Sequence, residues 1–289
     1  MSILVTGATG TIGSLVVNGL AAAGAQVNAL VRTPGKRRFP AGVSEVVGDL
    51  TDVASMRAAL SSVRTLFLLN AVTPDEVTQA LVALNLAREA GIERVVYLSV
   101  IHADRYTNVP HFTGKHTVER MIESLEIPAT ILRPAYFMQN DLTVQAVIRD
   151  HGVYPMPIGT AGVAMIDTRD IADIAVAELL RRDASATLLP RVTLDLVGPQ
   201  ALTGPQVAAT WGRALGRDVA FGAGDLSAFE QQLATFSPAW LALDMRLMMA
   251  RIQEIGMHGA GDAVERLERL LGRPLRRYAE FVGDAVQVG

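Results

Sequence analysis

The amino-acid sequence predicts an α/β fold, a doubly wound parallel sheet with a smaller, mainly helical C-terminal part. The first half alternates short apolar runs with stretches in which apolar residues recur at every third or fourth position. This alternation is typical of repeated βα units, whose strands form a parallel sheet covered by helices on both faces. The chain has 289 residues, of which 50% are hydrophobic, so it can bury a substantial core.

Six apolar runs in the first half are predicted as strands, because each is short and is bounded by Gly, Pro, Asp or Asn. They cover residues 3–5, 27–31, 44–47, 65–69, 94–98 and 129–132. Helical periodicity fills intervals between them, at residues 12–23, 53–60, 75–90 and 115–125. Right-handed crossovers are expected to connect the strands.

The regular alternation ends near Asp150. The segment from His151 to Pro157 holds too much Pro and Gly for a helix, and we interpret it as the edge of the first domain. Residues 1–150 are therefore predicted as one domain. Residues 151–289 are expected to form a smaller part that binds a substrate or a partner.

Part of the C-terminal half is expected to return to the main sheet, over about residues 163–200. It contains a predicted helix at 171–180 and a predicted strand at 192–197. The apolar helix at 240–249 has two interpretations, core or dimer packing and a methionine-lined substrate wall. A homodimer is thus one open expectation.

The composition argues against several classes of function. The chain has no cysteine, hence no disulfides or thiolate chemistry, and the cytoplasm is the expected compartment. The net charge is −3, and the basic residues are scattered apart from Lys36, Arg37 and Arg38, so direct binding to nucleic acid is not expected. No apolar stretch approaches the roughly 18 residues of a membrane span, so no membrane association is expected.

Two further kinds of site lack their sequence signatures. The five histidines, at positions 102, 111, 116, 151 and 258, include no His-x-x-x-His pair and no His-Glu-x-x-His helix, so no metal site is predicted. No serine lies in a Gly-x-Ser-x-Gly motif, and nucleophilic hydrolase chemistry is therefore unsupported.

A glycine-rich turn follows the first predicted strand and opens the first predicted helix. Gly7 would permit the tight turn, Gly10 would let the backbone approach a pyrophosphate, and Gly13 would let the helix pack closely on the strand. The helix N-terminus would supply unpaired N–H donors to the phosphates. This context predicts a Rossmann dinucleotide site, against the alternative of a structural turn, with the further contacts Thr9, Thr11 and Ile12.

The second strand indicates which dinucleotide is bound. A site for NAD usually has an acidic residue about 20 residues beyond the glycines, but the first acidic residue of this chain is Glu45. A basic loop follows the strand instead and can pair with the 2′-phosphate of NADP(H), each charge-assisted contact contributing about 1.5–3 kcal/mol. A solvated basic loop is the alternative. Its candidate contacts are Arg32, Thr33, Lys36 and Arg37.

The ends of the third and fourth strands carry the remaining cofactor candidates. Asp49 can accept a hydrogen bond from the adenine amine, with Leu50 covering the ring, although Asp49 could instead cap the next helix. Asp52 or Thr51 could fill that capping role equally well. The ribose and pyrophosphate should be bordered by Leu69, Asn70 and Ala71.

Several motifs together resemble the NmrA-like group of atypical short-chain dehydrogenases. They are Thr-Gly-x-x-Gly-x-x-Gly from Thr6, the strand end at residues 29–32, Gly48-Asp49-Leu50, and the segments 111–119, 132–140 and 166–172. The resemblance covers most of the chain. It implies a Rossmann fold and NADP(H), and either a reductase of quinones, dyes or plant phenolics or a protein that reports redox state to a regulatory partner.

The same resemblance points to a catalytic centre. Short-chain dehydrogenases generally carry Tyr-x-x-x-Lys after the fifth strand, and here Lys115 is present while His111 occupies the tyrosine position. Lys115 shares a helical face with Val118 and Ile122, so its ammonium should point toward the sheet, where a bound ribose or phosphate would satisfy it. A lysine that extends into solvent is the alternative. His111 is either a general acid or a capping or solvent-facing group.

Three residues at strand ends complete the prediction. Pro134 and Tyr136 should lie close to the nicotinamide, with Tyr136 acting as an aromatic wall or as a proton donor. Ser99 ends the fifth strand, where the related dehydrogenases often have a serine that orients the substrate.

Two functions compete on these observations. The first is an NADPH-dependent reductase of a small aromatic or conjugated acceptor, and the second is a non-catalytic NADP(H) sensor that regulates a protein partner. A sugar-nucleotide epimerase is disfavoured because the tyrosine acid is absent.

Overall fold

The computed structural model describes residues 2–222 and 224–288. Its strands are β1 (Ser2–Val5), β2 (Val27–Val31), β3 (Val43–Val47), β4 (Val63–Leu68), β5 (Arg94–Leu98), β6 (Ala129–Pro134), β7 (Val153–Tyr154), β8 (Val192–Leu196) and β9 (Ala220–Phe221).

Helices alternate with these strands and dominate the C-terminal third. They are α1 (Thr11–Ala22), α2 (Val53–Leu60), α3 (Glu76–Glu89), α4 (Pro110–Ser124), α5 (Gln145–His151), α6 (Thr168–Ala184), α7 (Gly204–Leu215), α8 (Leu226–Leu233), α9 (Ala239–Ile255), α10 (Ala263–Leu271) and α11 (Tyr278–Val288). A 3₁₀ helix covers Met138–Val144.

The main sheet of the described chain has the strand order β3-β2-β1-β4-β5-β6-β8. The pairings of β1 with β2 and β4, of β2 with β3, and of β5 with β4 and β6 are parallel. In register, Ile3 of β1 lies opposite Val27 on one side and Thr65 on the other. The predicted parallel α/β sheet is therefore confirmed, and its order reverses between β1 and β4, where a Rossmann sheet binds its ligand.

The chain divides into two compact units, each assembled from three segments. The first contains Met1–Val100, Gly114–Arg133 and Arg169–Leu194, and the second contains Ile101–Thr113, Pro134–Thr168 and Asp195–Gly289. The predicted domain edge near residue 150 stays a prediction.

The core of the first unit lies between its sheet and its helices. Leu4, Leu66, Leu68 and Val95 come from the strands and are nearly inaccessible to solvent. They pack with buried residues of the two helices α3 and α4, which are Ala80, Ala83, Leu84, Ala87, Val118 and Ile122. Strands covered by helices in this way read as continuous apolar runs rather than as alternating ones.

The second unit has its own small sheet and helices. Strand β7 pairs in parallel with β9, Val153 lying opposite Ala220. The preceding helix α5 stops at Gly152, which adopts a left-handed conformation with φ of 64°. From Gly152 to Pro157 the Pro- and Gly-rich segment is not helical, as its composition predicts, whereas its first residue, His151, ends α5. No helix in the described part of the chain is both long enough and apolar enough to cross a membrane.

Helix α4 begins five residues earlier than predicted. The apolar periodicity becomes clear only at Lys115, whereas the helix starts at Pro110. Proline favours the first position of a helix, since its fixed φ is already helical and its missing N–H is not needed there. As a consequence, His111 lies in the first turn of α4 rather than before the helix.

Candidate functional site

The glycine-rich turn has the tight backbone predicted for it. Gly7 adopts φ of +61°, and the Gly10 amide donates to the Gly7 carbonyl over 3.0 Å. A Cβ on Gly13 would lie 2.1 Å from the Gly7 oxygen, so helix α1 approaches the turn too closely for any side chain there. At Gly10 an added Cβ would meet only that same oxygen, at 3.4 Å. The turn is thus closed on its protein side and open at Gly10.

The N-terminus of α1 offers unpaired donors beside this turn. Gly10 is the N-cap without a side-chain cap, and the first turn holds no acidic residue. The first helical bond runs from the Ser14 amide to the Gly10 carbonyl, so the amides of Thr11, Ile12 and Gly13 precede the hydrogen-bonded part of the helix. Thr9, Gly10 and Thr11 are exposed. These features fit a pyrophosphate, because the helix dipole and free N–H groups both favour an anion.

The end of β4 lies against the glycine turn. The Thr6 hydroxyl donates to the Leu69 carbonyl over 2.9 Å and accepts from the Leu69 amide over 2.8 Å. A Cβ on Gly7 would lie 3.0 Å from Cγ of Leu69, so the Leu69 side chain packs against the turn. Asn70 is 6% exposed, and its Oδ1 lacks a hydrogen-bond partner in the described chain. A ligand hydroxyl would satisfy that buried acceptor, which fits the predicted ribose contact.

The basic loop after β2 is exposed and contacts the glycine turn. The Arg37 guanidinium donates to the Thr9 carbonyl over 2.7 Å. Arg32, Thr33 and Lys36 are also exposed, so none of their charges or hydroxyls is sealed in the core. This placement next to the turn is compatible with a 2′-phosphate, which stays a prediction.

Asp49 is not the cap of the helix that follows it. That role belongs to Asp52, whose carboxylate accepts from the Ala54 amide over 3.1 Å. Asp49 accepts instead from the Thr51 amide and hydroxyl through one oxygen, Oδ1. These hydrogen bonds and, less strongly, the charge of Arg32 lower the pKa of Asp49, so the carboxylate is ionised near neutral pH. Its other oxygen remains for the predicted adenine contact, beside the half-buried Leu50.

Lys115 is buried, but it has a protein partner. Its side chain is 10% exposed, and its Nζ lies 3.5 Å from Oε2 of Glu76, at the start of α3. The prediction that only a bound ribose or phosphate would satisfy this ammonium is wrong, because the Glu76 carboxylate supplies the opposite charge. The lysine does not extend into solvent. Any contact with a ribose would add to this ion pair.

The Ser99 hydroxyl is already used by the protein. It donates to Oε1 of Glu119 on α4 over 2.6 Å. The same carboxylate accepts two hydrogen bonds from Arg133, at 2.9 and 2.5 Å. This buried network ties the ends of β5 and β6 to α4. The Ser99 hydroxyl is therefore directed at Glu119, and the Ser99 amide donates to the Leu132 carbonyl over 2.8 Å.

His111 belongs to the second unit and is buried there with a carboxylate. Its Nδ1 lies 2.5 Å from Oδ2 of Asp244 on α9, and its backbone amide donates to Oδ1 of the same residue over 3.3 Å. The exposed fractions of the two side chains are 9% and 0%. His111 is thus neither solvent-facing nor the N-cap of α4. Sequence reasoning missed Asp244, although an aspartate inside the apolar run 240–249 is an unusual residue that could have pointed to it.

Tyr136, also in the second unit, lies beside a buried carboxyl group. Asp141 is fully buried and accepts hydrogen bonds from the hydroxyls of Tyr278, at 2.5 Å, and Tyr154, at 3.1 Å. Burial raises the pKa of Asp141 to about 7, although these hydrogen bonds oppose the shift. Burial and the Asp141 charge together raise the pKa of Tyr136 well above its ordinary value.

Pro134 ends β6, and its carbonyl accepts from the Ile101 amide over 3.0 Å.

In this parallel sheet the first strand leads through a glycine-rich turn into the N-terminus of a helix. That arrangement is characteristic of dinucleotide-binding Rossmann proteins. The NmrA-like family model matches residues 1–279, and this chain belongs to that family.

Three relatives illustrate the similarity. The chain is 34% identical over 284 residues to an NAD(P)H azoreductase of Xenophilus azovorans, covering 96% of each protein. It is 31% identical over 286 residues to a (4-alkanoyl-5-oxo-2,5-dihydrofuran-3-yl)methyl phosphate reductase of Streptomyces griseus subsp. griseus, covering 98% of this chain and 97% of the relative. The crystal structure of an NADPH-dependent quinone oxidoreductase of Escherichia coli complexed with NADPH superposes with a TM-score of 0.85 at 25% identity, covering 98% and 99% of the two chains.

Proposed function

We propose that this protein is an NADPH-dependent reductase of a small aromatic or conjugated acceptor, such as a quinone or an azo dye. The observation that carries the proposal is the open glycine turn at the start of α1, in a chain that aligns over nearly its whole length with an NAD(P)H azoreductase. The reductase of Streptomyces griseus, named for a dihydrofuran substrate, and the NADPH-dependent quinone oxidoreductase of Escherichia coli support the same class of reaction.

The first unit carries residues suited to hold NADP(H). Backbone amides at the start of α1 would bind the pyrophosphate, with the turn contributed by Gly7, Thr9, Gly10, Thr11, Ile12 and Gly13. The buried Oδ1 of Asn70 would accept from a ribose hydroxyl, next to Leu69 and Ala71. Asp49 and Leu50 would hold the adenine, and the 2′-phosphate would pair with Arg32, Thr33, Lys36 and Arg37. The nicotinamide, when bound, supplies a hydride.

Lys115 would bind the ribose from helix α4. Its ammonium is held in place by the Glu76 carboxylate, which fixes the direction from which a ribose hydroxyl can approach. Ser99 and Pro134 would contribute contacts through their backbone carbonyls beside the nicotinamide, since the Ser99 amide is used by Leu132 and proline has no N–H. Tyr136 would form an aromatic wall, since burial and the Asp141 charge raise the pKa of its hydroxyl well above 10 and make it a weak acid.

The choice of acceptor follows from the missing tyrosine acid. A ketone becomes a strongly basic alkoxide on reduction, whereas a quinone becomes a much less basic oxyanion that needs less help from a protein acid. His111 is the acid proposed to stand in for the tyrosine.

The cytoplasmic location expected from the cysteine-free composition stays a prediction.

The test is oxidation of NADPH against quinones, azo dyes and unsaturated ketones. We expect acceptor-dependent oxidation that falls at least about tenfold in Lys115→Ala, because the lysine positions the nicotinamide ribose. Arg120→Ala is the matched control, since Arg120 is an exposed cation on the same helix that pairs with Glu123. Tight NADPH binding without oxidation by any acceptor would overturn the proposal and favour a sensor with a regulatory protein partner.

A further inference from the structure

His111 supplies the hydrogen bonds to a buried carboxyl group, that of Asp244. Asp244 is completely buried, and a carboxylate in that environment is unfavourable unless hydrogen-bond donors or a cation compensate it. In the described chain both of its hydrogen bonds come from one residue, the ring Nδ1 and the backbone amide of His111. Such a two-point contact fixes the ring relative to α9 and to the first turn of α4.

The contact also determines which ring nitrogen can exchange a proton. An ionised Asp244 accepts a hydrogen bond from Nδ1, so Nε2 is the ring nitrogen that can pass a proton to a ligand. Nε2 has no hydrogen-bond partner among residues 2–222 and 224–288, and it is not one of the sealed, unpaired polar atoms of that part of the chain. One nitrogen is therefore held by the protein, and the other is left to a ligand.

Neighbouring aromatic rings restrict the imidazole further. The Phe112 ring packs edge-on against His111, with centroids 4.6 Å apart and planes at 70°. Tyr106 stacks on Phe112 at 4.9 Å, and its hydroxyl donates to the Gly256 carbonyl. The ring that supports His111 is thus itself held by a stacked tyrosine, and imidazole reorientation is limited.

We infer that Asp244 is the positioning residue for His111, and that His111 delivers from Nε2 the proton that reduction of the acceptor requires. The inference rests on the proposed reductase function and deepens it by naming the acid. For an azo acceptor, His111 would pass its Nε2 proton to one nitrogen while the other receives the hydride that bound NADPH would supply on oxidation to NADP⁺, so that the N=N bond becomes HN–NH. Solvent then returns a proton to Nε2.

Two kinds of acceptor separate this role from a structural one. Hydride addition to an azo bond leaves a strongly basic nitrogen anion, so proton delivery must accompany it, whereas a hydroquinone anion can take its proton from water later. Loss of the acid should therefore slow azo reduction much more than quinone reduction. A change that only loosened the packing would slow both alike.

The experiment compares Asp244→Asn with the wild type at saturating NADPH. We expect kcat for the azo dye to fall by about tenfold or more and kcat for the quinone by less than about threefold, with NADPH affinity unchanged. His111→Gln should show the same selective loss, and adding Asp244→Asn to it should cause little further change, because the two residues act as one unit. Asp225→Asn is the control, since this exposed N-cap of α8 tolerates asparagine.

A second readout does not depend on turnover. The short contact between Nδ1 and Asp244 should give the ring proton a far-downfield NMR signal in the wild type, with or without NADPH, and this signal should be lost in both variants. If Asp244→Asn does not fold, the wild-type signal and the acceptor selectivity of His111→Gln still test the assignment.

Failure of the proposed reductase function and failure of the roles given to His111 and Asp244 lead to different results. A wild type that reduces neither acceptor would overturn the proposed function and this assignment together. A wild type that reduces both, with variants that slow both equally or not at all, would overturn only the assignment. Absence of the downfield signal would likewise contradict the role given to Asp244.

Discussion

Lys115 and Glu76 form a buried ion pair, with 3.5 Å between Nζ and Oε2 and side chains that are 10% and 8% exposed. Replacing Lys115 with methionine should lower the free energy of unfolding by on the order of 3 kcal/mol, because the carboxylate loses its ammonium partner while it stays buried. Adding Glu76→Gln should restore most of that stability, as measured by urea unfolding.

The same two variants should separate stability from cofactor binding. NADPH affinity, measured by calorimetry, should remain low in the double variant, since a methionine at position 115 cannot donate a hydrogen bond to the ribose. Recovery of NADPH affinity together with stability would mean that Lys115 has a structural role only.

Two glycines of the turn should respond differently to alanine. Gly10→Ala should fold normally, because its Cβ meets only one oxygen at 3.4 Å, but the methyl group should block the pyrophosphate and weaken NADPH binding by about tenfold or more. Gly13→Ala should destabilise the protein by roughly 1–3 kcal/mol, because its Cβ would lie 2.1 Å from a carbonyl. Thermal unfolding and NADPH titration check both variants. Normal NADPH affinity in Gly10→Ala would argue against phosphates at this turn.

The basic loop should determine the preference for NADPH over NADH. Arg32→Ala should weaken NADPH binding by about ten- to a hundredfold and change NADH binding little, because only NADPH carries the 2′-phosphate. Arg38→Ala is the matched control, as another exposed arginine of the same loop. Fluorescence titration with both nucleotides measures the ratio, and equal losses for the two nucleotides would contradict the assignment.

Asp141 should make stability depend on pH near neutrality. Its pKa is about 7 in the folded chain and ordinarily 3.8, so its contribution is fully present below pH 3.8 and is lost as pH rises through about 7. Between pH 5 and pH 8 the free energy of unfolding should fall by roughly 2–3 kcal/mol more in the wild type than in Asp141→Asn. Urea unfolding at the two pH values tests this. Parallel changes in both proteins would show that Asp141 does not titrate as described.

Local patterns in the sequence predict most of the first unit. The strands at 27–31 and 94–98 and helix α2 were predicted at their observed bounds, because continuous apolar runs and capping residues act over a few positions. The glycine turn is equally local, since its spacing reflects close backbone contacts at Gly7 and Gly13.

The partners of the site residues could not be predicted in the same way. Glu76 precedes Lys115 by 39 positions, and Asp244 follows His111 by 133, so only the folded chain brings each pair together. The burial of the Lys115 ammonium and of the Asp244 carboxylate also cannot be predicted from the apolar periodicity of a single helix. The first turn of α4 was missed because Pro110 and His111 interrupt the apolar pattern from which the helix was predicted.

The most direct test of the central claim is a single turnover. The protein is loaded with one equivalent of NADPH, mixed rapidly with excess quinone, and followed by the absorbance of the reduced nicotinamide. We predict a stoichiometric loss of that absorbance at a rate far above the reaction of free NADPH with the same quinone. If the bound NADPH were oxidised no faster than free NADPH, the result would contradict the reductase account.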